Sequence, residues 1–106
     1  MTLKDQRVDV PRDEVCIVAW YLSHSTPYGR AEMRYRVETM SEPLRIVRES
    51  SVFKGDATFG PNRRIREHVT TLNELVLDLI ADGWVSLPRG DQWYSERFQR
   101  ESSSAP

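Results

Sequence analysis

Three side chains have the chemistry of a nucleophile, a base or a metal ligand: Cys16, His24 and His68. Cys16 lies inside EVCIVAWYL (14–22), an apolar run that places Val15 and Ile17 beside it. Burial among such residues raises a thiol's pKa and keeps it protonated, so an inert core cysteine is expected. His24 stands in SHSTPYGR (23–30), between two serines and close to Thr26. A turn-rich loop of this kind presents a solvent-facing histidine, with a base or ligand role as the alternative. His68 flanks the apolar stripe of a predicted helix and reads as a core-edge histidine. No glycine-rich phosphate loop, no G-x-S-x-G elbow and no Cys/His spacing of a zinc site occurs. The carboxylates fall almost entirely on faces expected to be exposed. Nucleophile, base and metal ligands do not converge in this pattern, so no catalytic residue, metal site or cofactor is expected.

Charge placement says more than charge total. Arg63, Arg64 and Arg66 crowd the start of the predicted helix, and Asp78 and Asp82 crowd its end. Both choices oppose the helix dipole, each costing about 0.3–1 kcal/mol at an exposed site. Glu74, Asp78 and Asp82 repeat at i, i+4, a like-charge series that weakens an isolated helix. On one reading, tertiary packing outweighs these terms. On the other, Arg63, Arg64 and Arg66 meet an anion, and the acidic stripe meets a basic protein partner. Arg30, Arg34, Arg36, Arg45 and Arg48 serve either intramolecular pairing with that stripe or a nucleic-acid surface. Tyr28, Tyr35 and Phe59 are then available for stacking. Residues 29–48 hold five arginines against three glutamates, and the whole chain carries a net charge of −1, which disfavours nucleic acid.

The elements that must position these groups follow from hydrophobic spacing. Residues 61–83 predict one long amphipathic helix: Ile65, Val69, Leu72, Val76 and Leu79 share a face, widened by His68, Leu75 and Ile80. Pro61 suits its first turn, Gly60 or Asn62 can cap it, and Gly83 stops it with Trp84 folding back on Leu79. Residues 14–22 alternate between two apolar sets, Val15, Ile17, Ala19, Tyr21 and Cys16, Val18, Trp20, Leu22. A strand apolar on both sides belongs at the centre of a sheet. Residues 31–40 alternate cleanly and predict a half-exposed antiparallel neighbour; 44–49 predict a third strand. Residues 50–62 read as a connection pinned by Phe53 and Phe59. Residues 84–88 and 92–100 predict a second hairpin. The order β-β-β-α-β-β predicts an α+β two-layer fold: an antiparallel sheet of four to five strands with the helix across one face.

At 106 residues, with 39% hydrophobic and 29% charged residues, the chain reads as one ordinary globular domain, 14–100. Residues 1–13 read as a flexible arm and 101–106 as a disordered tail. A lone cysteine, no membrane-length apolar run and a charged start predict a cytoplasmic protein. One helix covers one sheet face, and a central strand apolar on both sides needs a second cover. A homodimer through Cys16, Val18, Trp20, Leu22 and Trp93 is the expected cover; the 50–62 loop with the N-terminal arm, or a small ligand, are the alternatives. The functional expectation is a non-enzymatic protein-interaction module, with nucleic-acid or phosphate binding through the arginines of 30–66 as the second reading.

Residues 72–100, LNELVLDLIADGWVSLPRGDQWYSERFQR, resemble the C-terminal half of small bacterial domains of unknown function. In those, a helix of the form L-x-x-L-x-x-x-G-W runs into a hairpin ending aromatic-x-x-x-F-x-R. The matching residues are Leu72, Leu75, Gly83, Trp84, Tyr94, Phe98 and Arg100, with one extra helical turn between Leu75 and Gly83. The resemblance implies the fold and no activity.

Overall fold

The apolar run at 14–22 becomes a long strand, β1 (Asp13–Ser25), in a computed structural model that describes residues 13–25 and 30–101. β2 (Arg30–Thr39) pairs with it antiparallel, in a register that sets Cys16 against Thr39, Val18 against Val37 and Trp20 against Tyr35. The alternation in β2 sorts as its sequence requires. Ala31, Met33, Tyr35 and Val37 are buried, while Glu32, Arg34, Arg36 and Glu38 lie half-exposed on the other face.

β3 (Ile46–Glu49) and β4 (Phe53–Asp56) share the outer edge of β2. β4 runs along residues 30–33 and β3 along residues 36–38. Ser50 bridges the gap between them: its N–H donates to the Tyr35 carbonyl at 2.9 Å, and its Oγ accepts the Tyr35 N–H at 3.0 Å. The stretch expected to be a plain connection therefore contains a strand. Gly55, the residue that made it look like a loop, is a packing glycine. A methyl group there would stand 2.8 Å from His68 Cε1. Phe53 is fully buried as a pin, but Phe59 is 79% exposed and pins nothing.

The helix, α1 (Arg66–Ala81), starts later than its periodicity predicts. Pro61 is buried ahead of it, and Ile65 occupies the cap position without a side-chain cap. Asn62 does not cap the helix; its Oδ1 accepts the Arg64 N–H at 2.9 Å within the preceding turn. The stop is as expected. Gly83 has φ +98°, the Trp84 N–H donates to the Leu79 carbonyl and the Gly83 N–H to the Ile80 carbonyl, both at 3.0 Å. That pair of bonds is a Schellman motif, and Trp84 and Leu79 are both buried in the core beside it. The buried face is His68, Thr71, Leu72, Leu75 and Leu79. Ile65 and Ile80 turn outward, so the stripe is rotated toward His68 relative to the sequence expectation.

Past the helix, β5 (Val85–Leu87) and β6 (Arg97–Glu101) form the expected antiparallel pair. β6 starts five residues later than expected, because residues 92–95 turn, with the Ser95 N–H donating to the Gln92 carbonyl. β6 docks on β1, giving the sheet order β3-β2-β1-β6-β5 with β4 also on β2. The fold is thus α+β and two-layered, with six strands in place of the four to five expected. Asp13 and Glu101 already belong to strands; the rest of the expected arm and tail lies outside the described residues.

β1 is central, but it is not buried on both sides. Cys16 and Val18 sit at 0% and 2% exposure in one core with Leu72, Leu75, Leu79, Trp84 and Phe98. Val15, Ile17, Ala19 and Tyr21 face the opposite side and are half-buried. Cys16 and Val18, expected at a dimer surface, are therefore closed to any partner. Cys16 and Val18 are under the helix, Trp20 lies against Gly60, and Trp93 packs on the core beside Tyr94. Leu22, at 44% exposure, belongs to that same helix side, toward the far end of β1. The cause is simple: both sets of β1 are apolar, and only the packing of α1 decides which is covered.

Candidate functional site

The groups with chemical potential do not meet. Cys16 is fully buried, and desolvation pushes its thiol up to about 11, with Arg100 opposing that rise. His24 is not in a loop; it lies on β1 opposite Glu32, just past a bulge, with its side chain exposed. His68 is fully buried against Phe53, ring centroids 4.7 Å apart. Its Nδ1 accepts the Asn62 N–H at 2.9 Å, which fixes the proton on Nε2, and Nε2 donates to the Lys54 carbonyl at 2.7 Å. Both ring nitrogens are thus spent on backbone. The Tyr35 hydroxyl, held protonated by burial, donates to the His68 carbonyl at 2.9 Å. These bonds tie β4, the 57–62 turn and the helix start together, which is a structural task. Among the described residues, no group of three or more His, Cys, Asp or Glu side chains is placed to hold a metal ion.

Arg63, Arg64 and Arg66 are exposed and make no ion pair among the described residues. The acidic stripe fares differently. Arg48 reaches Asp78 at 3.7 Å and Asp82 at 3.4 Å, and Arg100 donates to the Asp82 carbonyl at 3.5 Å. Two cations from the sheet thus serve the helix C-terminus, where the last turn has none of its own. Glu74 stays exposed and unpaired among the described residues. Of the aromatics expected to stack on bases, Tyr35 is fully buried, Phe59 is exposed and Tyr28 lies outside the described residues.

A shallow cavity of about 250 Å³ opens at the start of β1, lined by Glu14, Thr39, Ser41, Glu42, Pro43 and Arg45. Of its two carboxylates, Glu14 is already held between Arg45 and Arg100, and Glu42 is exposed.

The remaining surface with a distinct character is the sheet face that α1 leaves uncovered. The strand registers set its rows. Ile46, Glu38, Ile17, Arg97 and Leu87 lie side by side across β3, β2, β1, β6 and β5. Beside them, Val15 sits next to Gln99 and Val85, and the Met40 N–H donates to the Val15 carbonyl at 2.9 Å, placing Met40 in the same row. Further along β1, Tyr21 donates to Glu49 at 3.0 Å and lies under the Arg36 guanidinium, 4.6 Å from its ring centre. Arg36 also pairs with Glu38 at 2.8 Å. One end of the face is thus a paired charge network, and the other is apolar. Met40, Ile46 and Val85 stand 50%, 49% and 64% exposed there. Residues 88–90 fold back over Ile17; a methyl group at Gly90 would stand 3.3 Å from Ile17 Cδ1. None of these three exposed side chains had been read as functional. The period-2 pattern of their strands carried the signal, but not which phase would be left open.

Compared with known proteins, the chain matches no family model, no curated protein and no solved structure. The resemblance of residues 72–100 rests on its motif residues, and the structure gives those a packing role. Gly83 ends the helix, Trp84 and Phe98 are buried, and Arg100 stacks 4.2 Å above the Trp84 ring. Among the described residues, no helix is long and apolar enough to cross a membrane.

Proposed function

We propose that the chain is a small cytoplasmic, non-enzymatic protein-interaction domain that works as a homodimer through the uncovered sheet face. One observation carries this reading: Met40, Ile46 and Val85 are exposed on the one sheet face that the helix does not cover, around the half-buried Val15. Scattered surface leucines and valines are ordinary, but several gathered on one flat face mark a contact surface. The dispersed positions of Cys16, His24 and His68 support binding rather than catalysis. The single thiol fits a reducing compartment. Light scattering at micromolar concentration is expected to give twice the 12.4 kDa chain mass. A clean monomer that binds no hydrophobic dye refutes the reading.

A further inference from the structure

We infer that the free edge of β1, along Trp20 and Leu22, takes an extended strand of another protein into the sheet. This rests on the protein-interaction reading and goes beyond it; it does not depend on the dimer. β1 runs to Ser25 and β2 accompanies it to the end, but β6 pairs with it only as far as Ile17. The Val18 N–H still reaches the Glu96 carbonyl at 2.9 Å. There the ladder ends, because the Glu96 N–H turns to the Tyr94 carbonyl at 2.8 Å. Along an antiparallel strand, successive residues aim their N–H and C=O groups at opposite edges. Trp20 and Leu22 share the phase of Val18, so their backbone groups point away from β2. Neither finds a backbone partner on that side among the described residues.

Its own side chains do not guard that edge. Native sheets blunt an open edge with charge, proline or an early end. Residues 19–23 are Ala-Trp-Tyr-Leu-Ser, with no charge and no proline. The other edges are defended: β3 and β4 carry Arg48, Glu49, Lys54 and Asp56, and β5 is three residues long with Pro88 after it. Leu22, Ser23 and His24 are exposed, so the edge is within reach of a partner. An added strand lays one set of its alternate side chains beside Trp20 and Leu22, and the other beside Tyr21. Its chemistry follows: apolar residues in the first set, and small polar ones in the second, near the bond from Tyr21 to Glu49. A second copy of β1 does not fit this place. A two-fold at Tyr21 sets His24 of that copy beside Val18, where Glu96 already sits. Sliding it outward meets the bulge between Leu22 and His24, past which His24 pairs with Glu32 on β2. A single strand avoids both obstacles by stopping short of Glu96.

The test uses a fluorescein-labelled peptide of alternating valine and threonine, with a lysine at each end for solubility. Fluorescence anisotropy is expected to show saturable binding to the full chain. With the valines beside Trp20 and Leu22, it is the valine N–H groups that face β1. Methylating the valine nitrogens is expected to weaken binding roughly tenfold or more, and methylating the threonine nitrogens to leave it unchanged. Leu22→Pro is expected to weaken it similarly, since it removes an outward N–H and keeps the Ala19 and Tyr21 bonds to β2. Circular dichroism checks that the variant is folded; if it is not, the two methylated peptides on the wild-type chain decide. Amide exchange at Trp20 and Leu22 is expected to be fast in the free protein and slowed by the peptide. No saturable binding, or equal binding of both methylated peptides, overturns the inference. So do Trp20 and Leu22 amides already protected without peptide, which would mean that a second copy or the chain's own residues hold the edge. Light scattering reads the dimer separately: a monomer that binds the peptide keeps this inference, and a dimer that does not bind it loses only this one.

Discussion

Replacing His68 tests the claim that this histidine is a structural joint. The ring is fully buried, packs on Phe53 and satisfies two backbone groups, the Asn62 N–H and the Lys54 carbonyl. In His68→Ala the lost ring removes buried surface and leaves a cavity, a loss of about 2–3 kcal/mol by comparison with other large-to-small core changes. The two orphaned backbone groups add about 1 kcal/mol each, the lower end for groups that water can reach through the cavity. The expected total of about 4 kcal/mol is a large part of a small domain's stability, typically about 5–15 kcal/mol. His68→Phe separates the two effects. It fills the cavity with a ring and removes the hydrogen bonds, so about 2 kcal/mol is expected, and more if the larger ring crowds Gly55. Urea denaturation followed by tryptophan fluorescence measures both variants, and amide exchange at Asn62 reports the local bond. A His68→Phe protein within about 0.5 kcal/mol of wild type, with unchanged exchange at Asn62, would refute the joint.

Gly83→Ala is expected to cost more than about 1 kcal/mol in urea denaturation, because φ is +98° while no neighbour stands within 4 Å, so the cost is purely backbone. An equally stable variant would show that the left-handed stop is not required. Cys16 is expected to resist alkylation at pH 8 in the folded chain and to react at once in urea. Its raised thiol also makes folding stability fall as pH climbs from 9.0 toward about 11, a slope that Cys16→Ala should reduce. Removing Arg63 and Arg64 together by Ala is expected to stabilise the protein by about 0.3–1 kcal/mol per site, since neither has a carboxylate among the described residues to offset its repulsion by the helix dipole. Phosphate that raises the melting temperature of wild type above that in chloride of equal ionic strength would instead favour an anion at this end.

What the sequence revealed and what it hid divide along one physical line. Local backbone signals were legible because they act within a few residues. The Gly83 and Trp84 stop, the alternation of β2 and the β5–β6 pair all came from short-range chemistry, and all are present. Features that depend on a distant element were not. Phe-Lys-Gly-Asp at 53–56 has poor strand propensity, and it is a strand because β2 offers it an edge and His68 needs a gap at Gly55. The helix start was misplaced for a similar reason. Asn62 donates to His68 and accepts from Arg64 instead of capping, and neither bond has a signature in composition.

The open face shows the same division most clearly. A strand apolar in both phases fixes its own centrality but leaves its orientation undetermined, since either set of side chains can take the helix. Tertiary packing broke that tie in favour of Cys16 and Val18, because their row partners Thr39 and Val37 continue the buried phase of β2. The partner strand therefore held the answer: Glu32, Arg34, Arg36 and Glu38 cannot lie under a helix whose inner face is leucine. Reading the two strands together, by pairing the charged phase of β2 with Val15, Ile17, Ala19 and Tyr21, identifies the open face without coordinates. The helix charges obey the same logic. Asp78 and Asp82 look unfavourable beside their own helix end, and they are offset by Arg48 and Arg100 from strands that lie 30 residues before and 18 residues after. At the other end no carboxylate of the described residues reaches Arg63, Arg64 or Arg66, so their charge stays unpaired within that part of the fold.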